Sequence, residues 1–171
     1  RRYLAVQGNN ELKLLAHARP LIRLFARKER TVMHRRELLA YLRSWPLVID
    51  LPNERVTVVH GGFLPGMDVT PEAIEREQHV IPHLRWIRKL SGEWHPIPKG
   101  LKRKDDVLWS EKWRGDRFVL YGHTPVREPK YDRHALGLDT GCVYGGTLTA
   151  AIYTDGEWET LSVKAKRKYA E

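Results

Sequence analysis

The chain has 171 residues, of which 42% are hydrophobic, enough to bury a core and too many for a disordered tail. Its 30 Lys and Arg against 21 Asp and Glu give a formal charge of +9, which suits anionic partners such as nucleotides, nucleic acid or phosphoproteins without choosing among them. The one cysteine, Cys142, excludes an internal disulfide framework and fits a reducing, cytoplasmic setting, and no apolar run approaches the roughly 20 residues that span a bilayer.

In chain order, Tyr3–Val6 reads as a short strand, already under way at Arg1 as though the chain were cut from a longer one. Gln7-Gly8-Asn9-Asn10 is a turn composition leading into a helix over 11–28, which Pro20 should break or kink. A second helix is expected from about His34 to Ser44, closed by Pro46. Val48–Leu51 and the β-branched run of 55–60 read as strands, the latter stopping at Gly61-Gly62. Residues 71–89 are expected to be helical at both ends with an interruption near Pro82, and 91–104, rich in Gly, Pro and charge, to be a mobile surface loop. Strands follow at 117–121 and 135–138, then a hairpin of 147–153 and 157–163 around Asp155-Gly156, and a basic tail at 164–168. Helices first and strands with short connections after them argue a mixed α/β or α+β fold. Three expected strands run into polar loops with glycine, and ligands collect at the carboxyl ends of strands in open sheets.

Four segments concentrate the candidate chemistry: Gly8-Asn9-Asn10-Glu11, Val59-His60-Gly61-Gly62, Tyr121-Gly122-His123-Thr124-Pro125, and Leu138-Asp139-Thr140-Gly141 continuing through Tyr144-Gly145-Gly146. Glycines beside a histidine let backbone and imidazole approach a small buried object closely. Together and in this order the segments resemble the later motifs of the calcineurin-like metallophosphoesterase superfamily. The match is nearest the branch of protein phosphatases, symmetrical dinucleoside tetraphosphatases and bacterial polynucleotide kinase-phosphatases. The resemblance implies one metallophosphoesterase domain over residues 1–171. Its fold would be an αββα sandwich of two mixed sheets flanked by helices, lacking its N-terminal strands.

The resemblance further implies two divalent metal ions, manganese first, with iron, zinc or nickel as alternatives. Asn9, His60 and His123 match three ligands of one of them; imidazole nitrogens and an amide oxygen suit borderline first-row metals. Asp139 would stand behind the ligands or brace a loop, and Tyr144 would line the pocket or simply pack. Arg85 stands where relatives place a phosphate-gripping arginine, with Arg88 one helical turn on as the fallback; guanidinium binds phosphate oxygens through paired hydrogen bonds. Trp109-Ser110-Glu111 resembles a segment of protein phosphatases and reads best as a packed tryptophan.

Two departures bear on function. The family's opening motifs, Asp-x-His and then Gly-Asp-x-x-Asp-Arg-Gly, do not precede Gly8, so the second metal would need an N-terminal segment or partner fragment, and residues 1–171 alone should be inactive. Asn10 occupies the place of a histidine that assists the leaving group, and an amide cannot deliver a proton near neutral pH. General acid catalysis contributes about 10²–10⁴-fold, so the loss should hurt esters more than anhydrides. The expected activity is metal-dependent hydrolysis of nucleotide polyphosphates of dinucleoside tetraphosphate type, or of phosphate esters such as nucleic-acid ends. A protein serine/threonine phosphatase is one alternative, and an inactive pseudophosphatase or binding module is the other.

Overall fold

The computed structural model describes residues 4–24 and 29–170, with backbone only for 17–24 and 29–35. Its elements in order are α1 (Asn9–Leu24), α2 (Glu29–Arg43), β1 (Val48–Leu51), β2 (Val56–Val59), α3 (Pro71–Arg76), a 3₁₀ turn (Ile81–His83), β3 (Trp86–Leu90), β4 (Glu93–Pro96) and β5 (Val107–Leu108). There follow α4 (Trp109–Lys112), β6 (Phe118–Tyr121), β7 (Lys130–Asp132), β8 (Ala135–Gly137), a 3₁₀ turn (Cys142–Tyr144), β9 (Thr147–Thr154) and β10 (Glu157–Lys164).

The α/β class is as the sequence indicates. The strands form a mixed five-stranded sheet in the order β1-β2-β6-β8-β7, an antiparallel three-stranded sheet β4-β3-β5 and the hairpin β9-β10. In the large sheet β2, β6 and β8 run parallel, and β1 and β7 flank them antiparallel. Val59, Phe63, Ile81, Leu84, Ile87, Trp109, Trp113, Val119 and Tyr121 form the core between this sheet, α4 and β3. Edge-to-face pairs of Trp109 with Phe63, Trp113 and Tyr121 fix their mutual angles, a geometry that aromatic quadrupoles favour. Ser110 Oγ lies 3.0 Å from the Tyr121 hydroxyl, and burial pushes that phenol up to about 12. Trp109 is thus a packing residue, as its sequence context suggested. No helix among the described residues is long and apolar enough to cross a membrane.

Several expectations are corrected. Leu4–Val6 is not a strand; it pairs with none among the described residues, and Tyr3 lies outside them. Instead the buried Gln7 pins this stretch to the end of α2, its backbone N–H donating to the Pro46 carbonyl (2.8 Å) and its side-chain amide to that of Leu42 (2.7 Å). α1 runs through Pro20, which removes one N–H and leaves the rest of the ladder intact, while 25–28 of the expected helix lie outside the described residues. α2 begins at Glu29, ahead of the expected start at His34.

Of the expected helical stretch 71–89, only Pro71–Arg76 is α-helical and Ile81–His83 makes a 3₁₀ turn; Thr70 Oγ1 caps the helix by accepting the Ala73 N–H. Trp86–Leu90 is a strand, with Ile87 buried between half-buried neighbours and paired to Val107 on one side and Pro96 on the other. The period there is two, so Arg85 and Arg88 are not one helical turn apart. Part of the expected mobile loop, Glu93–Pro96, is strand β4.

Candidate active site

The register of the large sheet brings the two histidine motifs together. β2 and β6 are parallel neighbours with Val59 opposite Tyr121, so His60 and Gly122-His123 leave adjoining strands at the same carboxyl end. The Gly122 N–H donates to the His60 carbonyl at 3.0 Å, extending the ladder one step beyond the strands. The chain then turns sharply: His123 has φ 66°, and the Thr124 N–H donates back to the Gly122 carbonyl at 2.7 Å. A non-glycine residue in such a three-residue turn is strained by about 1–3 kcal/mol, a cost commonly found where a side chain is being aimed.

Asn9 arrives from the other direction, at the first turn of α1. Gly8 makes that approach feasible, since a Cβ there would stand 2.9 Å from His60 Nδ1 and 2.8 Å from Glu11 Oε2. The Gly8 N–H donates to the same Glu11 oxygen at 3.0 Å, closing the start of the helix.

The three side chains converge on one point. His60 Nε2 is 2.9 Å from Asn9 Oδ1 and 3.0 Å from His123 Nδ1. A single proton on His60 Nε2 cannot point along both directions at once. Two ligands at right angles around a first-row ion, each about 2.1 Å from it, are themselves about 3.0 Å apart. The donor set therefore fits a divalent cation in spacing and in chemistry. Metal-binding imidazoles must be neutral, and burial favours that form at both histidines; a His123 whose Nε2 accepts from Arg85 carries its proton on Nδ1 and must move it to Nε2 before Nδ1 can bind a cation. Burial lowers His60 below its usual range against the pull of the Glu11 and Asp139 carboxylates. Burial, then the Arg85 and His60 charges, hold His123 at about 3. Among the described residues no group of three or more His, Cys, Asp or Glu is arranged to hold a metal; this chain brings two imidazoles and an amide.

The other expected residues divide. Arg85 Nε donates to His123 Nε2 at 3.0 Å and lines the cleft beside it. Arg88 does not reach the cleft: its guanidinium forks onto Asp106 at 2.6 and 2.7 Å and also reaches the Leu101 carbonyl. It is a bolt for the 101–106 loop, because period-two geometry and a covered Asp106 carboxylate claim it first. Asp139 Oδ1 accepts the Gly141 N–H at 3.1 Å, the loop-bracing alternative. Tyr144 is 51% exposed and is not among the residues lining the cleft, so it does not line the pocket as one reading had it. Asn10 is exposed beside Asn9, its Oδ1 accepting from Asn9 Nδ2 at 3.4 Å, and does not line the cleft either.

The cleft measures about 600 Å³ and is lined by Asn9, Arg85 and His123 together with Lys13, His79, His83, Lys99 and Lys102, and, among the described residues, by no carboxylate. Sequence reasoning missed the last five. Lys99 and Lys102 belong to a basic loop whose position relative to the histidines only the fold fixes. Burial and the neighbouring Lys13 and His79 lower His83 as well. The arrangement is a positively charged trough that opens onto a neutral donor cluster, suited to phosphate oxygens at one end and to a cation at the other.

No family model matches the chain. It is similar to curated proteins named bis(5'-nucleosyl)-tetraphosphatase PrpE [asymmetrical]. The one from Anoxybacillus flavithermus is 30% identical over 135 residues, 79% of this chain and 50% of the relative. The one from Geobacillus sp. WCH70 is 30% identical over 137 residues, 80% of this chain and 51% of the relative. The chain thus spans about half the length of the curated relatives it matches. Their names say asymmetrical, where the sequence motifs pointed to symmetrical enzymes. A crystal structure of a protein provisionally assigned as a diadenosine tetraphosphatase superposes with a TM-score of 0.70, at 28% identity, covering 95% of this chain and 68% of the other. Common sequence and common fold over most of its length agree with the motif order and support its resemblance to the calcineurin-like metallophosphoesterase superfamily.

Proposed function

We propose that this chain forms part of one metal-dependent phosphohydrolase domain that cleaves nucleotide polyphosphates of the dinucleoside tetraphosphate type. The observation that carries the reading is the basic cleft opening onto Asn9 and His123, which His60 joins through its Nε2. The names of the relatives point the same way. Asn9, His60 and His123 would hold one divalent ion, manganese first among the candidates. A second ion would draw its ligands from the Asp-x-His and Gly-Asp-x-x-Asp-Arg-Gly segments that relatives in this superfamily carry. When bound, such ions polarise phosphoryl oxygens and acidify water.

The chain's own residues have separable tasks. Arg85 lines the cleft beside His123 and holds a nonbridging phosphate oxygen through its planar fork, its Nε released from His123 once that imidazole binds a cation through Nδ1 and carries its proton on Nε2. His123 and His60 stay neutral, so they neither repel a cation nor compete as acids. Lys13, Lys99 and Lys102 attract the distal phosphates and raise the encounter rate with a polyanion. Asn10 does not line the cleft and an amide delivers no proton, so nothing at that place protonates a leaving group, which favours one that needs no proton, such as a phosphate of an anhydride. On this reading residues 1–171 alone turn over no substrate.

The test compares initial rates of the full-length protein with manganese on a dinucleoside tetraphosphate and on a phosphoserine peptide. Faster cleavage of the tetraphosphate is expected. Preference for the peptide would overturn the substrate class, and no manganese dependence would overturn the metal.

A further inference from the structure

The cleft is roomier than phosphate binding needs. Its roughly 600 Å³ lies within the range of about 300–1,000 Å³ that holds ligands of nucleotide size. One end is the Asn9–His123–Arg85 group. In the wall beyond stands Trp86, the residue after Arg85, half-buried at the start of β3.

The backbone that carries the indole is fixed on both sides. Trp86 pairs with Leu108 across β3 and β5, and its carbonyl accepts the Ile97 N–H at 2.8 Å. Its open face carries the ammonium of Lys102, 3.4 Å from the ring centroid. Lys102 is itself exposed, on the loop that Arg88 and Asp106 bolt down on either side, through the Leu101 carbonyl and the Arg103 N–H. A rigid aromatic plane whose π face is held by a solvent-exposed ammonium is a stacking site with an exchangeable occupant. A flat base can take that place, and the displaced ammonium remains beside a polyanion.

We propose that Trp86 is the stacking platform for a nucleobase, with the phosphate chain running from it past Arg85 to the Asn9–His60–His123 cluster. This rests on the nucleotide polyphosphate reading above and adds the residue that distinguishes a nucleotide from a bare polyphosphate. Stacking on an indole is tolerant of base identity, so the site selects for a base rather than for a particular one.

The experiment is calorimetric titration of the full-length protein with ADP and with pyrophosphate, which carry the same two phosphates and differ by the nucleoside. Wild type should bind ADP more tightly than pyrophosphate. Trp86→Ala should lose about 5- to 150-fold in ADP affinity, the measured span for removing one base–aromatic stack, with pyrophosphate binding unchanged. Trp86→Phe should keep most of the ADP affinity, and Trp86→Leu, which preserves apolar bulk without a π face, should not. A readout that needs no destabilising variant is the Trp86 indole N–H resonance, assigned by its absence in Trp86→Phe. It should shift with ADP and stay still with pyrophosphate. Undiminished ADP binding by Trp86→Ala, or equal loss for both ligands, overturns the platform and leaves the phosphohydrolase reading intact. Wild-type protein that binds neither ligand overturns both.

Discussion

Gly61 immediately follows His60, and adding one methyl group there should unfold more of the protein than its size suggests. A Cβ at Gly61 would stand 2.2 Å from the Ile81 carbonyl oxygen, 2.9 Å from the Pro82 carbonyl carbon and 3.1 Å from the Leu84 nitrogen. All three are backbone atoms, so no side chain can swing away. Restoring ordinary contact at 3.4 Å requires the 81–84 segment to retreat by about 1.2 Å (3.4 − 2.2), and that segment is anchored by the buried Ile81, Pro82 and Leu84. The retreat also stretches the bond that the Gly62 N–H donates to the Ile81 carbonyl, now 3.0 Å. Overpacking costs about 1–3 kcal/mol and a lost backbone bond about 0.5–1.5, so Gly61→Ala should cost about 2–4 kcal/mol. Gly122→Ala is the control: it also borders a site histidine, yet its nearest neighbour would be the His60 carbonyl at 3.8 Å and its φ is not positive, so it should cost less than about 0.5 kcal/mol. Urea unfolding of the full-length protein followed by circular dichroism measures both. If the two variants unfold at the same denaturant concentration, close contact between the His60 loop and the 81–84 segment is not what fixes this site.

Four further outcomes follow from the same geometry. His60→Ala and Asn9→Ala should each weaken manganese binding in calorimetric titration by more than the about 10–100-fold that outer partners of a metal site are worth; unchanged affinity would remove both residues from the donor set. Burial holds His123 at about 3, below its ordinary 6.5, so between those values the unfolded chain binds a proton that the folded metal-free protein does not. Its contribution to stability is therefore complete above pH 6.5 and declines as pH falls toward about 3; His123→Gln should flatten the acid side of the urea-midpoint profile, and parallel profiles would contradict the burial. Arg88→Met should lower the urea midpoint and leave pyrophosphate affinity unchanged, because it frees the loop and touches no ligand, whereas Arg85→Met should weaken pyrophosphate binding; the opposite pattern would return Arg88 to the substrate. The ion pair of Arg88 with Asp106, whose carboxyl the arginine and the Arg103 N–H hold at about 2 instead of 3.8, should persist at all pH values above 3.8 and fail as pH falls toward 2.

What the sequence determined by itself is local. A β-branched run before His60 and an aromatic and aliphatic run before His123, each meeting glycine at the histidine, specify strands that deliver both into loops, and Gly8-Asn9 marks a helix start at which no side chain stands between Asn9 and His60. The αββα family resemblance rests on the order of those motifs. Tertiary structure decided everything that depends on which atoms meet. Parallel pairing of β2 with β6, set by the Val59–Tyr121 register, is what turns two histidines 63 positions apart into neighbours 3.0 Å apart. Periodicity misread 84–89 as helix, since Trp-Ile-Arg-Lys-Leu carries no turn signal and its period of two emerges only once Ile87 is buried between two partner strands. That misreading put Arg88 on the substrate, where the fold gives it to Asp106, and hid Trp86 in a helix face, where the fold makes it the wall of the cleft. A side chain's charge and shape are written in the sequence, but what it faces is settled by backbone pairing between distant residues.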